Sequence, residues 1–159
     1  MSDIKEFYRP ENWRMENSVG YLVKRLSLVV SRELDRRMEV LGLTDAQWKP
    51  LLGLQQGVGK TAADLARAAC HDTGAVTRLL DRLESKALIR RVRSEEDRRV
   101  VNLELTDEGS QVAADVPKVI AQLANQMLEG FSEEEFRQFQ DYLRRALTNA
   151  QALDQGENG

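Results

Sequence analysis

Between Arg78 and Arg99 the chain places eight Lys or Arg against five Asp or Glu, although its formal net charge is −3. Guanidinium groups gathered in this way suit phosphate oxygens, to which they donate paired hydrogen bonds. The first of these arginines belongs to a helical pattern. Val76, Leu79, Leu80 and Leu83 recur at i, i+3, i+4 and i+7 and would form a buried stripe. A rotation of about 100° per residue carries Gly74, Arg78, Asp81 and Ser85 to the opposite face, with Thr77 at its edge. A small, polar front with a cation suits insertion into a major groove. The candidate DNA-contacting residues are therefore Thr73, Gly74, Thr77, Arg78, Asp81, Arg82, Arg93, Arg98 and Arg99. Asp97 would be repelled by phosphate, so its expected role is structural, holding a neighbouring arginine or capping a turn.

Other chemistry finds less support. His71 is the single histidine and adjoins the single cysteine, Cys70. Nucleophilic catalysis needs a base oriented on the nucleophile and a third group behind it, which neighbours in a tight turn rarely supply. No catalytic residue is assigned. One His and one Cys do not make a zinc site, so no metal or cofactor is expected. Gly59-Lys60-Thr61 has the ending of a phosphate-binding loop, but that motif needs glycine at position 54, where Leu54 stands.

The elements that must position the arginines follow from local pattern. Ala62, Leu65, Ala66 and Ala69 mark a short helix, and Cys70-His71-Asp72 breaks it. Asp72 or Thr73 then caps the helix of the Arg78 face. Leu88–Val92 and Val100–Leu105 read as two strands, and the intervening 93–99 contains no apolar residue to bury. Two helices joined by a tight turn, then a charged hairpin, make a winged helix-turn-helix.

Upstream, a long amphipathic helix is expected from about Trp13 to Val40, with Val19, Leu22, Leu26, Val29, Val30 and Leu34 as its stripe and Gly42 as its end. Thr44 and Gln47 form a capping box, with Leu43 and Trp48 in the staple positions. Pro50 should strain or kink that helix. Downstream, Thr106 caps a long helix to about Glu129, which Pro117 can bend. Ser132 and Glu135 box a final helix, with Phe131 and Phe136 as its staple, and fraying is expected from about Asp154.

At 159 residues and 42% hydrophobic content the chain suits one domain, 1–159. A lone cysteine excludes an internal disulfide. No apolar signal core or membrane-length run is present, so a soluble, cytoplasmic protein without a membrane partner is expected.

These residues resemble the MarR-type winged-helix transcription regulators. The matching stretches are LARAA, AVTRLLDRLESKALIRR, the SEEDRR wing with Asp97-Arg98-Arg99, and LELTDEG, continuous over roughly Leu41 to Gly109. The resemblance implies a mainly α (α+β) fold with a two-stranded wing. It also implies a DNA-binding region at 41–106 and a helical dimerisation region formed by 1–40 and 107–153. A two-fold homodimer would set two reading helices one turn of duplex apart, ~34 Å, over a pseudo-palindromic site. By the same resemblance the protein would be a repressor released by a small aromatic or phenolic ligand held near Trp13, Tyr21, Arg25 and Trp48. The cysteine that senses peroxide in some members lies on the first helix, unlike Cys70. The alternative is a protein-interaction module on the same fold that does not read DNA.

Overall fold

The computed structural model describes residues 6–69 and 73–156, apart from the side chains of residues 45, 66–69, 73 and 154–156. Cys70, His71 and the Asp72 cap lie outside the described residues. Contacts group the chain into two compact units, Met1–Ile120 and Ala121–Gly159.

In the first unit, the helix expected from Trp13 starts later. A 3-10 turn at Met15–Asn17 precedes α1, Val19–Met38. Ser18 sets the start, because its side chain accepts a hydrogen bond from the Tyr21 N–H. The Tyr8 hydroxyl accepts from the Val19 N–H at 2.9 Å, satisfying a second donor that an opening helix leaves free. The helix tightens into a 3-10 turn at Glu39–Leu41 and stops at Gly42, whose φ of 66° is the left-handed conformation glycine adopts without penalty.

Helix α2 spans Asp45–Gln55 and carries the expected Thr44–Gln47 capping box, with Gln47 Oε1 accepting from the Thr44 N–H at 3.1 Å. It runs unbroken through the buried Pro50. The Gln47 side chain is only 3% exposed, and its oxygen also accepts from Lys86 Nζ at 2.9 Å. Lys86 donates at 2.6 Å to the Gly42 carbonyl as well, so one ammonium ties the start of α2 to a residue 39 positions further along the chain.

Helix α3, Ala62–Ala69, has a second reciprocal cap. Asp64 Oδ2 accepts from the Thr61 N–H at 3.0 Å, while the Asp64 N–H donates to Thr61 Oγ1 at 3.2 Å. Helix α4, Thr73–Ser85, buries Val76, Leu80 and Leu83 and leaves Leu79 half-buried. Its end is unusual. Ala87 takes φ 56°, and the Leu88 N–H reaches back to the Leu83 carbonyl at 3.0 Å, a glycine-type helix end made with alanine.

Strands β1 (Ile89–Arg93) and β2 (Val101–Leu105) pair antiparallel, Ile89 opposite Leu105 and Arg93 opposite Val101. Each starts one residue later than expected. Leu88 is spent on closing α4, and the Val100 N–H turns back to the Asp97 carbonyl at 2.9 Å. The outer edge of β2 gains one bond, from the Leu103 N–H to the Lys60 carbonyl at 2.7 Å. Helix α5, Asp107–Met127, begins on Thr106, whose hydroxyl accepts from the Gly109 N–H at 2.9 Å. The core gathers Met38, Leu43, Leu51, Leu80, Leu83, Ile89 and Val116. Along α1, Val19, Leu22, Val23, Leu26 and Val29 stay exposed.

The second unit holds the end of α5 and α6, Glu133–Gly156. The Ser132–Glu135 box forms in both directions, at 2.8 and 3.2 Å. Phe131 packs a tilted ring on Phe139, 6.0 Å between centroids, one turn beyond the expected staple partner Phe136. Tyr142, Leu143, Leu147 and Leu153 are exposed on α6.

Candidate nucleic-acid interface

Charge pairing within the chain sorts the cations of 78–99 into two sets. Arg90 faces Glu104 across the sheet and donates to its carboxylate from two nitrogens, at 2.9 and 2.7 Å. Arg91 reaches from β1 to α4, where it donates to Asp81 Oδ1 at 2.6 Å and to the Glu84 carboxylate. Its guanidinium is held charged above the ordinary arginine range, first by the Asp81 hydrogen bond. Lys86 donates to Gln47 and to the Gly42 carbonyl. Arg78, Arg82, Arg93, Arg98 and Arg99 remain, all exposed and without an ion pair among the described residues.

Their placement follows from the elements. Arg78 and Arg82 stand one helical turn apart on α4, on the side away from the buried Val76, Leu80 and Leu83. Gly74, Thr77 and Asp81 are exposed on the same helix, while the Thr73 side chain lies outside the described residues. Arg93 ends β1, and Arg98 and Arg99 lie in the tip. Asp97 shapes that tip. Its Oδ1 accepts from the Arg99 N–H at 2.9 Å, and its own N–H faces Ser94 Oγ at 3.4 Å. An aspartate bonding the backbone two residues on is an Asx turn, which fixes the chain direction between the strands.

The clamp of Arg91 between Asp81 and Glu84 is the feature that local pattern reading missed. Strand and helix each look like ordinary solvated faces, and only their packing brings the three charges together. The spacing of Asp81 and Glu84, i and i+3 on one helix face, was its one visible trace.

The four residues named for a ligand fall on the segment before α1, on α1 and on α2. Arg25 stacks on Tyr21 along α1, 5.7 Å from guanidinium carbon to ring centroid. Trp13 is 48% exposed in the segment before α1. Trp48, with Lys49 Nζ 5.5 Å from its ring centroid, borders a cavity of about 260 Å³ whose lining includes none of the other three.

A helix with a free cationic front, followed by a two-stranded hairpin bearing more free arginines at its tip, defines a winged helix-turn-helix protein. The MarR family description matches residues 43–101. Transcriptional regulator PA3341 is 35% identical, with 85% of this chain and 99% of that one aligned at a TM-score of 0.73. The MepR–DNA complex of S. aureus is 28% identical, covering 83% and 98% at a TM-score of 0.75. CouR from Rhodococcus jostii RHA1, bound to p-coumaroyl-CoA, shares the fold at 19% identity, covering 82% and 92% at 0.71. The chain belongs to the MarR family and is a DNA-binding transcription regulator. Among the described residues, no helix is long and apolar enough to cross a membrane.

Proposed function

We propose that the protein is a homodimeric, cytoplasmic repressor that holds a pseudo-palindromic operator and releases it when a small aromatic or phenolic ligand binds. The observation that carries the DNA-reading part is the sorting of charge. Arg90, Arg91 and Lys86 are spent inside the chain, while Arg78, Arg82, Arg93, Arg98 and Arg99 are left for phosphates and bases. Arg78 and Arg82 read base edges or nearby phosphates from the major groove, where Gly74, Thr73 and Thr77 allow close approach. Asp81 acts through Arg91. Arg93, Arg98 and Arg99 meet the flanking backbone, one of the wing arginines entering a narrow minor groove.

Dimerisation rests on the apolar stripes of α1 and α6, whose large side chains are exposed in the single chain. A stripe of that size is stable in water when a second copy covers it. The ligand reading is supported by CouR, a fold relative that binds an aromatic acyl-CoA. Tyr21, Arg25, Trp13 and Trp48 are the residues offered for it.

Duplex binding measured against salt tests this reading. The wild type should show a sequence-specific excess over random duplex and a steep fall of affinity with salt. Replacing Arg98 and Arg99 together with alanine removes four cations from the dimer and should weaken all duplexes and lower the log–log salt slope by roughly 4. Binding that ignores both sequence and salt would leave a protein-interaction module instead.

A further inference from the structure

Lys86 stands just past the end of α4, where its N–H closes the last turn onto the Arg82 carbonyl at 3.2 Å. Its ammonium is engaged off that helix. It donates to the Gly42 carbonyl at 2.6 Å and to Gln47 Oε1 at 2.9 Å, across 44 and 39 positions of chain. Both acceptors are neutral, and no carboxylate pairs with Lys86 among the described residues.

The two acceptors belong to the corner where α1 ends and α2 begins, and each is fixed independently of Lys86. On the α1 side, the Gly42 N–H donates to the Glu39 carbonyl at 2.9 Å and the Leu43 N–H to the Met38 carbonyl at 3.0 Å, with Met38 and Leu43 buried. On the α2 side, the buried Gln47 uses the same Oε1 to accept from the Thr44 N–H at 3.1 Å. The corner is thus built on α1, and the ammonium ties the end of α4 to it.

The place of this tie gives it leverage over the reading face. At about 1.5 Å per residue, Arg78 lies ~12 Å and Gly74 ~18 Å along the helix from Lys86. A tilt of about 5° at the tied end would then displace them by ~1 and ~1.6 Å, whereas a hydrogen bond to a base edge holds only within about 2.7–3.2 Å. The other side of the tie leads into α1, whose exposed Leu22, Val23, Leu26 and Val29 form the face offered to a second copy. One ammonium therefore joins the helix that reads to the helix that pairs. We propose that Lys86 is a positioning residue for DNA reading, which holds the angle between α4 and α1 and so sets the separation of half-sites that the dimer accepts. The role rests on the homodimer reading above. One extra base pair moves a half-site by about 3.4 Å and turns it by ~35° around the duplex, which two heads held at a fixed angle do not follow.

Selection from a random-sequence duplex pool by the full-length protein tests it, followed by titration of the selected duplex and of versions with one base pair added or removed between the half-sites. The wild type should select an inverted repeat of one separation and bind the altered separations about tenfold more weakly. Lys86→Met keeps the apolar stem and removes the ammonium. It should retain the half-site sequence, lose about tenfold at the preferred separation and discriminate the altered ones by threefold or less, with the log–log salt slope unchanged. Lys86→Arg keeps donors on a stem of similar reach and should restore the preference. Lys86→Gln, too short to reach the corner, takes the place of Lys86→Met should that variant fail to fold.

A preference as sharp in Lys86→Met as in the wild type would overturn the role of Lys86 and leave the dimer reading standing. A loss equal at every separation would also overturn it. With the salt slope lowered by about 2, one contact from each protomer, such a loss would make Lys86 a phosphate contact; with the slope unchanged, it would make Lys86 a support for the fold of the head alone. A wild type that selects isolated half-sites and no repeat would refute the homodimer reading and the spacing role together.

Discussion

A side-chain carbon placed on Gly109 would lie 1.8 Å from the carbonyl oxygen of Leu88. That carbonyl accepts from the Thr106 N–H at 3.1 Å, and the Thr106 hydroxyl donates to the Ala87 carbonyl at 2.6 Å. The start of α5 is therefore laid directly on the turn that joins α4 to the wing, and only glycine permits the approach. Gly109→Ala should destabilise the protein by about 3 kcal/mol, at the upper end of overpacking costs, because the obstacle is backbone. Urea unfolding measures it, and a loss below 1 kcal/mol would mean that α5 can shift aside.

Asp97 distinguishes a structural carboxylate from a repulsive one. If its only effect near DNA were charge, Asp97→Ala would raise duplex affinity. The Asx turn to Arg99 leads to the opposite expectation, a fall of about tenfold as the tip loses its shape, equivalent to ~1.4 kcal/mol. Asp97→Asn keeps an acceptor oxygen and should bind close to wild type. Operator titrations of the two variants at one salt concentration decide the matter.

Arg91 should matter to DNA binding without touching DNA. Arg91→Gln removes the tie between β1 and α4 and leaves Asp81 and Glu84 unpaired beside the reading face. Specific affinity should fall about tenfold, or ~1.4 kcal/mol, with the salt slope nearly unchanged. A slope reduced by about 2, one contact from each protomer, would instead mark Arg91 as a phosphate contact.

On α1, Glu33 accepts from Arg36 at 2.6 Å and from Arg37 at 2.7 Å. The Arg36 hydrogen bond, then that of Arg37, lowers its carboxyl from the ordinary 4.5 to about 2. A carboxyl depressed on folding contributes stability that is fully present above pH 4.5 and lost as pH falls towards 2. Carboxyl-carbon NMR should show Glu33 titrating well below its neighbours, and Arg36→Gln should return it towards the ordinary value.

Much of this chain was legible without a structure because its signals are local. Capping boxes at Thr44–Gln47 and Ser132–Glu135, and the stripe through Val76, Leu80 and Leu83, involve residues within a turn or two of each other. Side-chain identity and helical spacing suffice for such contacts. The turn around Asp97, although local, needed the structure to choose between its possible partners. What tertiary packing decided depends on groups far apart in the chain. Helix α1 opens at Ser18 rather than near Trp13, partly because Tyr8, eleven residues away, reaches the Val19 N–H. Lys86 is engaged because α2 presents Gln47 and the preceding turn presents the Gly42 carbonyl to it, and Arg91 is spent because α4 brings two carboxylates to β1. The composition of 78–99 could count eight cations. Only the fold separates the three it engages within the chain from the five it leaves without an ion pair among the described residues, because pairing depends on distances in space that sequence order does not contain.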